Sequence, residues 1–326
     1  MVEKVRRFVP RLTNPDPEAG SPQVHPTSTD HFLPGKRRRR SLEIRYPFSD
    51  NRVMRPTSSA VSSAPTWQTA MANAIGGRAE QQDRAGFWCS ADGREGLWLV
   101  ADGMGGHTGG ALAAQTALDV TACRWPPAPA ESAAPDELLE ALCLAIHAEI
   151  HQRGARAGLA PHCTLVALYL RPDAAWWLHV GDSRLYRFRG AELLNRTRDH
   201  SVVQGLVDQG LLREDEIGQH PDRNVLVNAV GGAGPPRLEN GRAALDARDT
   251  WVLCTDGLWE AVSAEELAKA LAAPDLKQAA DALVLRAVER NGPNGDNVTV
   301  LLLRQNGGDA GSPDGINSRE ETGWRS

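Results

Sequence analysis

Short apolar runs alternate with polar breaks along the middle of the chain, and their lengths predict its secondary structure. The run GLWLVA (96–101) is continuous and brief, which is typical of a buried strand. The stretch 109–125 that follows it predicts a helix, and residues 136–153 repeat apolar positions with the 3.6-residue period of a second helix. This alternation predicts helices packed on a sheet.

The second half of the chain adds strands that follow one another with no helix between them. They are predicted at 164–170, 175–180, 184–189 and 191–195. Further elements are predicted as a short helix at 201–212, a strand at 250–255, helices at about 264–272 and 276–290, and a strand at 297–303. Consecutive strands joined by short turns indicate antiparallel sheets, so the predicted class is a layered α+β fold.

The two ends of the chain differ in composition from this middle part. Residues 1–63 are rich in Pro, Ser, Thr and Arg and show no sustained period, which predicts a disordered leader. Its basic run, residues 36–40, is predicted to be a solvated charge run. Contact with an anionic surface or with nucleic acid, and a start site placed too far upstream, are the alternatives. The folded domain is predicted over 64–305, with a flexible tail at 306–326.

Charge and cysteine content exclude several classes of protein. Residues 1–60 carry twelve basic and six acidic side chains, net +6, whereas residues 61–326 carry 24 and 35, net −11. An acidic body disfavours nucleic-acid binding and suits a site for cations. The five cysteines form no CxxC pair, which favours buried free thiols in a reducing compartment. No apolar run is long enough to predict a membrane span.

Four aspartates stand where apolar runs begin or end: Asp102, Asp182, Asp256 and Asp296, with Asp83 before a further strand-like run. One Asp-Gly pair is a common turn, but the repetition at strand edges predicts that these carboxylates converge. Buried like charges repel, so such a cluster requires cations, and Asp oxygens suit Mg²⁺ or Mn²⁺. A glycine after the aspartate would let the main-chain carbonyl approach an ion.

Eight motifs follow one another along residues 66–304: RAEQQD, VADGMGGH, CTLVAL, HVGDSRLYR, TRDHSVVQ, HPDRNVLVNAVG, VLCTDGLW and GDNVTV. In this order they resemble the protein phosphatase 2C group of metal-dependent Ser/Thr phosphatases, in its short bacterial form. The resemblance implies an α-β-β-α sandwich of two central antiparallel sheets flanked by helices. It also implies a binuclear Mn²⁺ or Mg²⁺ centre between the sheets.

The resemblance assigns the metal ligands residue by residue. Asp102 would bridge both ions, with the Gly103 carbonyl and Asp83 on one side and Asp256 and Asp296 on the other. A third, weaker ion would use Asp182 together with Asp256.

Four further residues take roles by the same comparison. Arg78 would bind the substrate phosphate, and Gln82 and Asn297 would lie beside the metal ligands. The histidine that donates a proton in eukaryotic relatives is replaced by Met104, so His107 becomes the candidate acid, with an ordinary turn histidine as the alternative.

Two departures from the family pattern affect the expected site. Gln82 stands where relatives often have a glutamate, which predicts weaker metal affinity. His162-Cys163-Thr164 replaces the usual Gly-Thr-Thr, which predicts altered packing beneath the site and unchanged ligands.

The predicted reaction is hydrolysis of phosphoserine and phosphothreonine in proteins, by a water that two divalent ions acidify. The expected protein is a cytoplasmic monomer that acts on phosphorylated proteins and reverses the phosphorylation catalysed by a bacterial Ser/Thr kinase. A pseudophosphatase that binds a phosphoprotein or kinase is the alternative, and a two-metal nuclease is disfavoured by the acidic surface.

Several other features are predicted to be structural. Asp199-His200-Ser201 lacks a nucleophile elbow, so a triad is rejected and Asp199 is expected to cap a helix. His147 and His151, at i and i+4, are expected on a solvated or capped helix face. Trp176 and Trp177 alternate faces on a strand and are expected mainly in the core.

The resemblance also implies that the segment 212–232 corresponds to the family's flap beside the active site, where specificity is expected to be determined.

Overall fold

Two five-stranded antiparallel sheets form the centre of the computed structural model, which describes residues 67–104, 109–125 and 134–306. In spatial order the first sheet consists of β1 (Trp67–Ala74), β12 (Val298–Gln305), β11 (Asp249–Cys254), β8 (Arg184–Arg189) and β9 (Glu192–Arg196). The second sheet consists of β10 (Glu239–Ala244), β7 (Ala174–Val180), β6 (Leu165–Leu170), β3 (Gly96–Ala101) and β2 (Arg84–Cys89). A separate two-stranded pair joins β4 (Gly103–Met104) to β5 (His162–Cys163).

Helices cover the outer face of each sheet. They are α1 (Gly109–Arg124), α2 (Pro135–Ala157), α3 (Val202–Asp208), α4 (Asp256–Trp259), α5 (Ala264–Leu271) and α6 (Leu276–Asn291). The pair α1 and α2 packs on the second sheet, and α5 and α6 pack on the first. The layers therefore run helix, sheet, sheet, helix, which confirms the predicted α-β-β-α sandwich.

The apolar runs are continuous because the central strands are buried on both faces. In β3, Leu97 and Leu99 point to the helix layer, whereas Trp98 and Val100 point to the layer between the sheets. Trp177 and Trp251 fill that same layer from opposite sheets, with ring centroids 6.0 Å apart. A strand buried on both faces shows no polar alternation, which explains the pattern in the sequence.

The structure confirms most predicted elements and corrects some details. The helix predicted at 201–212 is shorter, because α3 ends at Asp208. Strands β1 and β10 had no clear signal in the sequence. The tryptophans divide as expected: Trp177 is in the core between the sheets, and the partly buried Trp176 packs on the helix side.

The expectation for the cysteines is partly wrong. All five are free thiols, but Cys89 and Cys123 are exposed and three are buried. In the three described ranges of the chain, no helix combines the length and the apolar character that a membrane span needs. The predicted leader at 1–63, residue His107 and nearly all of the predicted tail lie outside the described residues.

A buried ion-pair cluster joins β8 to β11 in the first sheet. Asp249, 2% exposed, accepts hydrogen bonds from Arg187 at 2.5 Å and from Arg189 at 3.0 Å. The Asp246 amide adds a third bond to it. Removing one partner of such a pair is costly because the other charge is left buried without a counter-ion.

We therefore predict that Asp249→Ala lowers the free energy of unfolding by about 3 kcal/mol or more. Denaturant unfolding measures the free energy of unfolding of this variant and of a control, Asp173→Ala. Asp173 is an exposed aspartate in the turn between β6 and β7. Equal stability of the two variants would show that the cluster contributes little.

Candidate metal centre

Aspartates from both sheets converge on one cleft, at the end of the sheets where their strands meet. Asp102 follows β3, Asp182 follows β7, Asp256 opens α4 after β11, and Asp296 precedes β12. The cleft has a volume of 460 Å³. Its lining residues are Arg78, Ala79, Glu80, Gln82, Asp102, Gly103, Met104, Asp182, Asn224, Leu226, Asp256, Asp296 and Asn297.

Asp83 lies beneath this cleft and completes the set of five carboxylates. It is 4% exposed and lies within hydrogen-bonding reach of Asp102. Its Oδ2 accepts a hydrogen bond from the Thr255 hydroxyl at 2.9 Å, which fixes the carboxylate from below. We refer to Asp83, Asp102, Asp182, Asp256 and Asp296 as the carboxylate cluster.

Burial, followed by repulsion from neighbouring carboxylates, raises the pKa values within the carboxylate cluster. Burial raises the pKa of Asp102 and of Asp256 well above the usual value, and the neighbouring carboxylates raise both further. Burial also raises the pKa of Asp83 to about 7 and the pKa of Asp182 to about 7. Charged together at neutral pH, these groups need a positive charge among them.

The donor set of the cluster fits hard divalent cations. Within the described part of the chain, Asp83 Oδ1 and Asp256 Oδ1 are buried oxygens with no hydrogen-bond donor. A buried acceptor left unpaired is costly, and a cation would satisfy it. Ligands that are all oxygen suit Mg²⁺ or Mn²⁺ better than zinc.

Glycines beside two of the aspartates permit close backbone packing. A Cβ on Gly103 would lie 2.1 Å from the carbonyl oxygen of Gly110, so β4 could not approach the start of α1. A Cβ on Gly257 would lie 2.1 Å from the Asn297 carbonyl oxygen. The glycines are thus required by packing around the cleft, a reason that the sequence did not show.

Hydroxyl groups hold the strand ends in place under the cleft. The Asp102 amide donates to Thr164 Oγ1 at 2.9 Å, and that oxygen lies 2.7 Å from Ser183 Oγ. Thr255 Oγ1 accepts from the Thr299 amide at 3.0 Å. These bonds link residues beside Asp102, Asp182 and Asp256, so the relative positions of those strand ends are determined below the surface.

Arg78 lies on the loop between β1 and β2, at the mouth of the cleft. Its Nη2 contacts Asp296 Oδ2 at 2.5 Å, and the side chain is half exposed. Asn297 fixes this loop: it accepts from the Gln82 amide at 2.7 Å and donates to the carbonyls of Ile75 and Glu80. Of the residues singled out in the sequence, Gln82 and Asn297 therefore lie beside the carboxylate cluster.

Glu260 is a further acidic residue near the cluster, and the sequence analysis missed it. It stands four positions after Asp256, one helical turn away, and that spacing was the available signal. Its charge contributes to the raised pKa of Asp256 and of Asp182. Arg223 Nε pairs with Glu260 Oε1 at 3.3 Å, which joins the flap to α4.

The flap, residues 212–232, contributes Asn224 and Leu226 to the cleft lining. Within the flap, Asp215 pairs with Arg213, and His220 accepts a hydrogen bond from the Asp222 amide. Neither lines the cleft. His107, the candidate acid, lies outside the described residues, and its role stays a prediction.

The Asp199-His200-Ser201 segment is structural, although the predicted cap is wrong. Asp199 forms two hydrogen bonds with the buried Arg184 guanidinium, at 2.8 and 2.6 Å. Ser201 is the residue that caps α3, because its hydroxyl accepts the Gln204 amide at 3.2 Å.

His179, His200 and Glu239 form another group of potential metal ligands among the described residues. His200 Nδ1 accepts hydrogen bonds from the Gly181 amide and from the Asn228 side chain, at 3.2 and 2.7 Å. Its proton therefore lies on Nε2, which faces Glu239 at 3.2 Å. Because this nitrogen has no free lone pair, we assign the group a structural role.

Removing metal should leave a protein whose stability falls as pH rises. The folded-state pKa of Asp182 is raised, so its protonated form is favoured; this contribution is full below about pH 4 and is lost through about pH 7. In EDTA, the Tm of Asp182→Asn relative to that of the wild type should therefore increase from pH 5 to pH 8. At pH 8 the variant's Tm should be higher by at least about 5 °C. Differential scanning calorimetry measures the Tm of both proteins at each pH, and parallel curves of Tm against pH would contradict the raised pKa of Asp182.

Known proteins resemble this chain in sequence and in fold. A model of the family described as Protein phosphatase 2C matches residues 73–286. Serine/threonine protein phosphatase PstP of Mycobacterium tuberculosis is 34% identical over 204 residues, which are 61% of this chain and 38% of that protein. The chain thus spans well under half of that relative's length.

Two further comparisons, one with another protein and one with a solved catalytic domain, cover most of the matched chain's length. Protein phosphatase PhpP of Streptococcus pneumoniae is 30% identical over 213 residues, 64% of this chain and 85% of PhpP. The solved catalytic domain of PstP in complex with two manganese ions has a TM-score of 0.62 and 30% identity, covering 73% of this chain and 98% of that one. Because the family model matches more than half of the chain and the fold agrees with it, this protein belongs to the protein phosphatase 2C family.

Proposed function

We propose that this protein is a metal-dependent phosphatase that hydrolyses phosphoserine and phosphothreonine in proteins. The observation that carries the proposal is the convergence of five aspartates from both sheets on one cleft, with two buried carboxylate oxygens that lack a donor. The relatives are named as serine/threonine protein phosphatases, and a solved relative holds two manganese ions.

The carboxylate cluster would hold the ions. Asp102 would contact both, with Asp83 and the Gly103 carbonyl completing one site and Asp256 with Asp296 the other. Asp182, together with Asp256, would hold a third and weaker ion. Bound Mn²⁺ or Mg²⁺ supplies an activated water and neutralises charge on the phosphoryl oxygens.

Arg78 would bind and orient the phosphoryl group. Its guanidinium lies at the cleft mouth and offers a planar fork of donors to the non-bridging oxygens. A cation bound by Asp296 would compete with the guanidinium for that carboxylate and would leave Arg78 free to bind the substrate phosphate. Asn297 keeps the Arg78 loop against β12, so the donors stay aimed at the cleft.

The wider setting belongs to the same proposal. The expected substrates are phosphorylated proteins. The enzyme would remove the phosphate groups that a Ser/Thr kinase has added to them. We place the reaction in the cytoplasm, a reducing compartment that suits five free cysteines. The chain would act as a monomer. A catalytic domain at 64–305 is also part of the proposal.

Asp256→Ala should abolish turnover, because it removes a ligand from the cluster; we expect a loss of at least about 100-fold. Phosphate release from phosphothreonine, phosphoserine and phosphotyrosine peptides, with Mn²⁺ and with EDTA, measures this. Asp173→Ala is the matched control, since its exposed side chain lies at the far end of β7 from Asp182. Full activity in EDTA would overturn the mechanism, and metal binding without turnover would favour the pseudophosphatase.

Arg78→Ala should lower kcat/KM by roughly 10- to 150-fold, the effect of losing one charge-assisted contact of about 1.5 to 3 kcal/mol. Arg78→Lys keeps the charge and loses the fork, so its kcat/KM should be intermediate. Steady-state kinetics at saturating Mn²⁺ distinguishes these cases. Wild-type kcat/KM in Arg78→Ala would show that another group binds the phosphate.

A further inference from the structure

Two histidines of α2 contact the flap where it returns to the body of the protein. We call Val230–Gly232 the flap root. The Gly231 amide donates to His147 Nδ1 at 3.0 Å, and His151 Nε2 lies 3.0 Å from the Gly232 carbonyl oxygen. His151 lies on the exposed helix face, as expected, and both rings also bind backbone groups of the flap root.

These two bonds require defined protonation states. A backbone N–H can only donate, so His147 Nδ1 must carry a lone pair. A carbonyl oxygen can only accept, so His151 Nε2 must carry a proton. The two ring centroids are 4.6 Å apart, which is the result of their i, i+4 spacing on one helix face. The pair thus presents one acceptor and one donor to consecutive glycines.

The flap root has little freedom to move away from this contact. Gly231 has a φ of 85°, and a Cβ there would lie 2.5 Å from Ile150 Cγ2 and 2.7 Å from the Pro161 carbonyl oxygen. Only glycine fits such a position. The bonds from His147 and His151 therefore act on a segment that is already packed tightly against α2.

Backbone pairing connects the flap root to the carboxylate cluster. Val230 and Cys163 exchange two hydrogen bonds of 2.9 Å, and Cys163 pairs with Gly103 across β4 and β5. The Thr164 amide donates to the Asp102 carbonyl at 2.9 Å. On its other side, the root leads back through the flap to Leu226 and Asn224 in the cleft lining.

We propose that His147 and His151 are positioning residues for substrate binding, which hold the flap root so that Asn224 and Leu226 keep their places beside the cleft. This inference rests on the proposed function, because it assigns the flap to the binding of a phosphorylated protein segment. A substrate too small to reach the flap does not use these residues.

Protonation would break the His147 contact. A proton on Nδ1 replaces the acceptor by a second donor that faces the Gly231 amide, and it places a cation beside the His151 ring. Burial, followed by His151, lowers the pKa of His147, so the contact is intact above that pKa and is lost as pH falls below it. Of the elements packed here, β5 contributes the titratable His162, and the flap root contributes no charge.

The test compares two substrates over pH 5.5 to 8 at saturating Mn²⁺: a phosphothreonine peptide and p-nitrophenyl phosphate. The ratio of their kcat/KM values cancels effects on the metal ligands, which both substrates share. The phosphate of the phosphothreonine peptide titrates at about pH 6, so the wild-type ratio is compared at each pH with that of His147→Asn, which keeps this substrate titration and lacks the imidazole. The wild-type ratio should fall more steeply than the His147→Asn ratio as pH decreases, through a rise in KM for the peptide. His147→Ala should lower the ratio about fivefold at pH 7.5, the effect of losing one hydrogen bond.

Conservative variants separate positioning from general destabilisation. His147→Asn offers an amide oxygen near the place of Nδ1, so it should restore the ratio at pH 7.5 and leave only the pH dependence of the substrate phosphate. His151→Gln keeps a donor and should behave like the wild type, whereas His220→Asn, on the flap but outside this contact, is the control. A wild-type ratio in His147→Ala, or unchanged pH dependence in His147→Asn, would overturn the proposal.

Hydrogen exchange separates failure of this inference from failure of the proposed function. The Gly231 and Val230 amides should exchange about tenfold faster in His147→Ala than in the wild type or in His147→Asn. Equal exchange in all three would refute the contact, whatever the activity. If exchange follows the prediction but no variant hydrolyses either ester with Mn²⁺, the proposed function is wrong and the contact with the flap root stands.

Discussion

Repulsion among buried carboxylates is the constraint on which the rest of this structure depends. Five aspartates converge at the ends of strands, and burial together with their neighbours raises the pKa values of Asp83, Asp102, Asp182 and Asp256. A fold that only needed stability would disperse these charges. Their concentration at one cleft is explained if divalent cations occupy it, and the unpaired oxygens of Asp83 and Asp256 are then their ligands.

The sandwich makes this concentration possible because each sheet supplies strand ends to the same edge. Apolar layers on both sides of every central strand hold the strands in register, while Thr164, Ser183 and Thr255 connect their ends beneath the cleft. Stability is therefore concentrated in the layers, and the cost of the charge cluster is confined to one edge. The flap forms one wall of the cleft. It contacts α2 through His147 and His151, and Arg223 joins it to Glu260 at the end of α4.

Sequence reasoning predicted the elements that have strong periods and the aspartates that stand at their ends. It could not predict β1, whose alanine-rich WQTAMANA has no strand pattern; its pairing with β12 decides its conformation. The polar edge strand β10 was missed for the same reason. The spacing of Glu260 four residues after Asp256 was a signal that sequence reasoning overlooked. The contacts of His147 depend on which surfaces meet in three dimensions, and neither spacing nor composition contains that information.

A crystal structure of the protein grown with Mn²⁺, with anomalous diffraction recorded at the manganese edge, tests the central claim most directly. The account predicts at least two anomalous peaks in the cleft, each within coordination distance of carboxylate oxygens from Asp102, Asp256 or Asp296. A cleft without anomalous density at saturating Mn²⁺, or peaks bound only elsewhere on the surface, would contradict the claim that cations hold these carboxylates together.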